Sequence, residues 1–422
     1  MNKLLKSSSI YLLSTVLASV IPFLLLPILT RYLSKEEYGQ VAMFQILITA
    51  LSAVVGLSVQ GAANRKYFDK NVTESTLRQF NGACTQILIL SAAGCALLLF
   101  FVKDILADYL NIPADWMVLG MAMAVAAFIV QIRLGQWQIR DKAKHFGFFQ
   151  VLQSLFNAAL SVFLVVTLLQ GAQGRVDAQV WVTLLFGVLA GYFLYKDKLV
   201  ELFHWDKKLI HEALSFGVPL LPHVIGGFLL LSIDRMVINS ELGLANVGIY
   251  MVAVQLSSVL KIVFHSANKA YMPWLFSELK RDDSEMKLKI VKTTYLYFVA
   301  LLVLAVVIFI IGPFFVVLIA GEQYYEAGSI IGLLCLGNIF NGMYLMITNY
   351  IFYSKKTFQL SIVTISSGLI NVALLFLLIG PYGLMGAGLA YAMSNFLMFL
   401  LAWFVSMRVY SMPWFSFSKM KL

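Results

Sequence analysis

The sequence predicts an all-α integral membrane protein with about twelve transmembrane helices, arranged as two six-helix bundles around a central cavity. Composition is the first reason, because 60% of the residues are hydrophobic and 12% are charged, whereas soluble domains carry about 25% charged residues. The second is that the chain divides into apolar runs of about 20 residues, enough to cross a hydrocarbon core roughly 30 Å thick. The third is the alternating distribution of lysine and arginine between these runs.

The apolar runs follow one another with short connections, none of which is long enough to fold as a separate domain. The first run follows Lys3 and Lys6, as a secretory signal would. It has the length of a full span and lacks a clear small-residue cleavage site, so we expect it to be retained. In chain order the spans are predicted near residues 10–30, 40–61, 80–102, 116–138, 147–169, 178–195, 213–238, 244–268, 290–319, 327–353, 358–379 and 385–407.

Basic residues fall in alternate connections, which predicts the orientation of the helices. Twenty-four Lys and Arg residues lie in the set of connections that includes both termini, and four lie in the other set, namely Arg31, Lys35, Lys103 and Arg175. Such an excess of Lys and Arg is typical of cytoplasmic connections. Both termini are therefore predicted to be cytoplasmic. The net charge of +10 is explained by these connections and does not indicate a nucleic-acid partner.

The two halves of the chain resemble each other. A shift of 204 residues pairs Arg31 with Arg235 and matches several neighbouring positions, while a competing shift of 209 residues leaves the residue-level pairing open. Each half starts on the same side of the membrane, so the copies would be parallel repeats related by an axis along the membrane normal. We predict bundles at residues 1–200 and 201–422 that work by alternating access.

Ionisable and amide side chains inside the spans are the candidate binding groups, because a charge costs roughly 3 kcal/mol at the centre of a transmembrane helix. Arg133 and Lys261 are expected toward the cytoplasmic side, and His265 follows Lys261 at i+4 on the same helix face. A cationic interior suits a phosphate or diphosphate, which arginine binds with a bidentate fork. The predicted substrate-binding residues are Arg31, Arg133, Arg235, Lys261, His265, Gln255 and Asn341, and the predicted coupling residues are Asp234 and His223.

Each of these assignments has a structural alternative. A long Arg or Lys side chain can reach the membrane interface and merely anchor its helix. Amides can join neighbouring transmembrane helices by hydrogen bonds. His223 can be a hydrogen-bonded structural residue rather than a proton carrier.

No catalytic residue, metal site or cofactor is predicted. Cys84, Cys95 and Cys335 are expected inside helices, so no disulfide framework is implied. A Gly-x-x-x-x-Gly-Lys-Ser/Thr phosphate loop is absent from the sequence, so direct use of ATP is not expected. The acidic pair Asp282 and Asp283 lies among other charges and is interpreted as a solvated charge run.

Several motifs resemble those of a known family. They are Ser-Phe-Gly-Val-Pro-Leu-Leu-Pro at 215–222, Ser-Ile-Asp-Arg-Met-Val-Ile at 232–238, Val-Gly-Ile-Tyr at 247–250, Arg-Tyr-Leu-Ser-Lys-Glu-Glu-Tyr-Gly at 31–39 and Tyr-Gly-Leu-Met-Gly-Ala-Gly-Leu-Ala at 382–390. They are similar to the polysaccharide transporters, the Wzx-type flippases of the multidrug/oligosaccharidyl-lipid/polysaccharide superfamily. The likeness extends over nearly the whole chain, but it does not indicate which sugar is carried.

The resemblance implies a non-enzymatic function in a bacterial inner membrane. It implies transfer of undecaprenyl diphosphate-linked oligosaccharide from the cytoplasmic to the periplasmic leaflet, for O-antigen, capsule or exopolysaccharide synthesis. It also implies a polysaccharide polymerase and a chain-length regulator as partners. The family offers no invariant catalytic constellation, so the site residues above rest on buried charge alone.

Two other functions stay open at this point. A multidrug or small-molecule cation antiporter of the same superfamily would have the same fold, because fold does not settle substrate. It would more often need buried acids, and Asp234 is the acid predicted within a span. A membrane enzyme of polysaccharide assembly would be expected to carry a sizeable outer loop, whereas the predicted outer connections are short.

Overall fold

The structure is a computed structural model, and it describes residues 2–69 and 72–415. Nearly all of these residues lie in helices, and this part of the chain contains no strand. The helices are α1 (Asn2–Tyr32), α2 (Lys35–Val54), α3 (Val59–Lys66), α4 (Glu74–Leu110), α5 (Asp115–Ile139), α6 (Ala143–Val162), α7 (Gly171–Lys196), α8 (Lys207–Gly217), α9 (Leu221–Leu242), α10 (Leu244–Arg281), α11 (Ser284–Ala320), α12 (Tyr325–Tyr353) and α13 (Thr357–Val409).

The lengths and compositions of these helices confirm a membrane protein. In the described part of the chain, 10 helices are long and apolar enough to cross a membrane, or up to 11 if α2 and α3 form one bent span. Large apolar side chains such as Phe101, Ile105, Ile310 and Phe314 are exposed along α4 and α11. An extended apolar surface of this kind is suited to lipid rather than water.

The second span is interrupted between α2 and α3, whose axes differ by 54°. Three consecutive residues, Gly56, Leu57 and Ser58, have positive φ values of 78°, 48° and 57°. A Cβ atom at Gly56 would lie 2.1 Å from the Phe128 ring, so only glycine fits there. The Gly56 amide also donates a 2.9 Å hydrogen bond to the Ser91 hydroxyl. Packing and hydrogen bonding therefore hold the bend in place.

The last helix, α13, folds back on itself. Gly383 has a non-helical conformation, with φ 54° and ψ −135°, and the Asn371 amide nitrogen donates a 2.8 Å hydrogen bond to the Ser394 hydroxyl. In a straight helix these two residues would be separated by about 35 Å. α13 is therefore a hairpin of two arms, in agreement with the predicted spans 358–379 and 385–407. The count of twelve spans requires both arms of α13 and the α2–α3 pair as one span, and it stays a prediction.

The chain divides into two compact units, Met1–Met236 and Val237–Leu422. In the first unit α1 packs on α6, α5 packs on α2 and α7, and α8 packs on α3 and α4. In the second, α12 packs on α10, α11 and α13. The division falls inside α9, after the bundle boundary predicted near residue 200. That boundary follows from the duplication and remains a prediction.

Candidate functional site

The first unit contains a cavity of about 410 Å³ between α3, α4 and α8, called the α3–α8 cavity below. Its volume lies within the range of about 300–1,000 Å³ that is usual for ligand pockets. The end of α3 leads into a connection that the distribution of basic residues assigns to the cytoplasmic side. The cavity is lined by Ala62, Arg65, Lys66, Asp69, Phe80, Glu212, Ser215, Phe216, Pro219 and Leu220.

Small residues allow α8 to approach α3 closely. A Cβ atom at Gly217 would lie 2.3 Å from the Leu57 carbonyl oxygen, and one at Gly61 would lie 3.1 Å from the Phe216 ring. After Gly217 the seventh span changes to a 3₁₀ turn at Val218–Leu220 before α9 begins. Pro219 lies in this turn and has no backbone N–H to donate. Gly61 and Gly217 thus let α8 lie against α3, and the 3₁₀ turn contributes Pro219 and Leu220 to the lining of the cavity.

Charges in the cavity are arranged around Lys66. Its Nζ lies 2.6 Å from Glu212 Oε1 and 3.4 Å from Asp69 Oδ2, and 5.4 Å from the centroid of the Phe80 ring. Arg65 is exposed, and its Cζ lies 5.5 Å from the centroid of the Phe216 ring. Within the described residues Arg65 forms no ion pair. The lining therefore contains two cations and two carboxylates, and is formally neutral.

Arg133, a predicted substrate-binding residue, is buried inside the first unit and is only 1% exposed. Its Nη2 donates to the Asp197 carboxylate, and its Cζ lies 4.1 Å from the centroid of the Trp137 ring. Its Nε and Nη1 atoms are buried without a hydrogen-bond partner. Arg133 is thus held by protein groups, and its contact with substrate stays a prediction.

The other predicted residues divide between the two units. In the first unit Arg31 is exposed in the last turn of α1, and Asp234 and Arg235 are half-buried in α9. The Asp234 carboxylate accepts a 2.8 Å hydrogen bond from the backbone N–H of Arg235. The side chain of His223 lies outside the part that the structure describes.

In the second unit, α10 carries three of the predicted residues: Gln255 and Lys261 are half-buried, and His265 is exposed. Asn341 is half-buried in α12, and its Oδ1 is buried without a hydrogen-bond partner. None of the eight predicted residues with described side chains lines the α3–α8 cavity. The sequence-based site and this cavity are therefore different places in the chain.

Several amides inside the spans join helices within a unit. The buried Asn338 donates a 3.1 Å hydrogen bond to the Ser257 carbonyl and accepts a 2.9 Å hydrogen bond from the Tyr391 hydroxyl. Asn349 donates to the Asn268 side-chain oxygen at 2.8 Å. These two amides, which are not among the predicted site residues, thus join helices within the second unit.

The prediction that Arg175 lies in an outer connection is wrong. α7 begins at Gly171, several residues before the predicted span, and this places Arg175 inside the helix, where it is 8% exposed. Its Nη1 donates to Asn157 Oδ1 at 2.7 Å and also to the Ser161 hydroxyl. A hydropathy cut-off missed the first turns of α7 because they are polar but still buried by α6.

Sequence reasoning also missed the α3–α8 cavity, since it used Arg65 and Lys66 only to orient the membrane helices. One feature of the sequence does indicate part of the cavity lining. Ala62, Arg65, Lys66 and Asp69 follow one another at the three- and four-residue spacing that places side chains on one helix face. The contribution of Glu212 has no such local signal, because it is 146 residues away from Lys66.

Comparison with known proteins indicates the family. A family model described as "Polysaccharide biosynthesis protein" matches residues 4–280. Among curated relatives, Lsg locus putative protein 1 of Haemophilus influenzae is 26% identical over 378 residues, covering 88% of this chain and 90% of that protein. A putative O-antigen transporter of Shigella flexneri is 22% identical over 400 residues, covering 89% and 91%.

Solved structures show the same fold. The lipid II flippase MurJ in an inward closed conformation has a TM-score of 0.75 at 14% identity, covering 94% of this chain and 87% of that one. A multidrug resistance MATE family transporter of the MOP superfamily, inward-facing, has a TM-score of 0.73 at 16% identity, covering 93% and 94%. These likenesses confirm the predicted all-α membrane fold. Because the family model matches well over half of the chain, the protein belongs to the polysaccharide biosynthesis protein family.

Proposed function

We propose that this protein is a flippase that moves undecaprenyl diphosphate-linked oligosaccharide repeat units from the cytoplasmic to the periplasmic leaflet of a bacterial inner membrane. The product would be a surface polysaccharide such as O-antigen, capsule or exopolysaccharide. The observation that carries the proposal is the family match over residues 4–280. The alignment with a putative O-antigen transporter along 89% of the chain supports it.

The physical task of such a flippase is to replace water around a charged, polar head group while the lipid tail stays in the membrane. An unpaired charge or amide in hydrocarbon is costly, so the path must offer polar partners. No covalent bond forms or breaks, so no nucleophile or metal is required. We propose alternating access, in which the binding site opens first to one side of the membrane and then to the other.

Lys261, as a cation, and His265, as a hydrogen-bond donor, are the predicted residues that we propose for the diphosphate on the cytoplasmic side. They lie one helical turn apart on α10, and His265 is exposed. Arg133 would contact the diphosphate only after leaving the Asp197 carboxylate.

The remaining predicted residues keep the roles that their chemistry suggests. Arg31 and Arg235 would receive the diphosphate at the outer side, and Gln255 and Asn341 would bind glycan hydroxyls. Asp234 and His223 are the proposed coupling residues. A polymerase and a chain-length regulator are proposed to act with the protein, because the flipped repeat unit has to be polymerised.

A multidrug or cation antiporter is the second candidate, and the TM-score of 0.73 with a MATE transporter favours it. At 16% identity this likeness concerns the fold alone, and the TM-score with a lipid II flippase is 0.75. Buried acids are the feature that a cation antiporter would need. Glu278 is buried, but it is paired with Arg281 at 3.1 Å.

Deletion of the gene tests the proposal. A flippase mutant should accumulate the complete lipid-linked repeat unit in the cytoplasmic leaflet, without polymer outside the cell. Mass spectrometry of extracted undecaprenyl-linked glycans, with a probe for leaflet accessibility, measures both. A truncated glycan would instead indicate an enzyme, and normal polymer with increased drug sensitivity would indicate an antiporter.

Variants of Lys261, expressed in the deletion strain, test the proposed diphosphate site. Lys261→Ala should reduce surface polysaccharide while the protein level in the membrane stays normal, and Lys261→Arg should be better tolerated because it keeps the charge. If Lys261 only anchors α10 at the interface, Lys261→Ala would cause no loss, or a loss that follows reduced insertion.

A further inference from the structure

We propose that the α3–α8 cavity binds one uncharged sugar unit of the transported glycan, and that the diphosphate is bound elsewhere. This inference rests on the proposed function. It assigns a second binding site, separate from the predicted cations, and it names the part of the substrate that this site takes.

The charge of the lining is the first argument. Its four ionisable side chains are Arg65, Lys66, Asp69 and Glu212, so the described lining has no net charge. Lys66 is already shared by both carboxylates, at 2.6 and 3.4 Å. A diphosphate would therefore find Lys66 already occupied, and its attraction to Arg65 would be opposed by repulsion from the two carboxylates. An uncharged sugar meets no such repulsion.

The supply of hydrogen-bonding groups is the second argument. Glu212 uses Oε1 and Asp69 uses Oδ2 to hold Lys66, so the second oxygen of each carboxylate can accept a hydrogen bond. Arg65 supplies several N–H donors and forms no ion pair within the described residues. Sugar hydroxyls both donate and accept. The cavity thus offers charge-assisted hydrogen bonds of both directions, which are stronger than neutral ones.

Aromatic and apolar surface is the third argument. The half-buried Phe216 ring and the exposed Pro219 and Leu220 form one wall of the cavity. The face of an aromatic ring is electron-rich, so it attracts the weakly positive C–H groups on the flat side of a sugar ring. A sugar ring has hydroxyl groups at its edge and C–H groups on its face, so it matches a cavity with hydrogen-bonding side chains beside an aromatic ring.

Size and access agree with this occupant. A volume of about 410 Å³ is near the lower end of the range for ligand pockets, and it suits a single sugar unit better than a whole repeat unit. Arg65, Ser215, Pro219 and Leu220 are exposed, so the cavity is accessible from outside the protein. The predicted cytoplasmic position is the side on which a flippase first meets its substrate.

Saturation-transfer NMR on the full-length protein in lipid nanodiscs tests the inference. The probes are D-glucose, D-galactose, L-rhamnose and N-acetyl-D-glucosamine at millimolar concentration, with inorganic pyrophosphate as the competitor. At least one sugar should bind, and pyrophosphate should not displace it. Phe216→Ala should weaken that binding about fivefold by removing the aromatic face.

Phe203→Ala is the matched control, because Phe203 is fully exposed in the same unit and lies outside the α3–α8 cavity. It should leave sugar binding unchanged. Phe216→Trp keeps an aromatic face and should retain binding, which separates loss of the ring from misfolding. Absence of binding by all four sugars, displacement by pyrophosphate, or equal effects of Phe216→Ala and Phe203→Ala would overturn the inference.

The two proposals fail separately. Complete lipid-linked units that accumulate in a deletion strain, with no sugar bound in the NMR experiment, would reject the cavity assignment and keep the flippase. Sugar binding that depends on Phe216, together with truncated glycans in the deletion strain, would reject the flippase and keep a sugar site.

Discussion

Replacing Asp197 with alanine should destabilise the first unit more than replacing its partner Arg133 with methionine. Arg133 is 1% exposed and Asp197 is 33% exposed, and their side chains form an ion pair. Asp197→Ala leaves a buried guanidinium without a carboxylate. Arg133→Met removes the buried charge itself, and it leaves a carboxylate that water can reach.

The expected magnitudes follow from these exposures. Removing one partner of a fully buried pair costs about 3–5 kcal/mol, whereas exposed pairs contribute about 0–1 kcal/mol. Because Asp197 is partly exposed, we expect Asp197→Ala to lower the free energy of unfolding by roughly 2 kcal/mol. Arg133→Met also removes the contact with the Trp137 ring at 4.1 Å, which contributes about 1 kcal/mol.

The assay is unfolding of the purified protein in mixed micelles titrated with SDS. The double variant Arg133→Met/Asp197→Ala should be close to Arg133→Met alone, because the unpaired charge is gone. An Asp197→Ala variant as stable as the wild type, or less destabilised than Arg133→Met, would refute this reasoning. Surface polysaccharide provides the second readout. If Arg133 is a structural residue, cells with Arg133→Met should make normal surface polysaccharide as long as the variant stays folded in the membrane.

Three further predictions concern packing, hydrogen bonding and topology. Gly82→Ala should destabilise the protein by about 1–3 kcal/mol, as overpacking does, because its Cβ would lie 2.0 Å from a carbonyl oxygen of the connection before α8. Gly94→Ala on the same helix is the control: its Cβ would meet no atom within 4 Å, so it should not destabilise the protein. Tyr391→Phe removes the hydroxyl that donates to a buried amide. It should lower the free energy of unfolding in SDS by about 0.6 kcal/mol, the average for such bonds in membranes, and an unchanged stability would contradict this hydrogen bond. In a cysteine-free background, an impermeant thiol reagent should label Phe203→Cys from the cytoplasm and Gln323→Cys from the periplasm, and the reverse pattern would overturn the predicted orientation.

The membrane fold could be predicted from the sequence because its signals are local. An apolar run of about 20 residues indicates a span wherever it occurs, and the basic connections indicate its direction. The two arms of α13 agree with two predicted spans even though no charged residue separates them, since Pro381 and Gly383 interrupt the apolar run. The family resemblance likewise came from short motifs along the chain.

The partners of the charged side chains could not be predicted in this way. The sequence identifies Arg133 as a buried cation, but its pairing with Asp197, 64 residues later, depends on how α5 meets the end of α7. Hydropathy places Arg175 in a connection because the first turns of its helix are polar. Hydropathy measures the average character of a segment, whereas burial of a single polar side chain depends on the neighbouring helix.

Local features of the sequence are enough to show that the chain crosses a membrane many times and which family it resembles, and they predict the orientation of its ends. Which cations are paired and which line a cavity depends instead on contacts between segments that are far apart in the sequence. The contact between Lys66 and Glu212 spans 146 residues of sequence, and the α3–α8 cavity is lined by side chains of two helices that Gly61 and Gly217 allow to approach each other. The spacing of residues along one helix determines which side chains share a face. Which segment packs against that face depends on contacts between parts of the chain that are far apart in sequence.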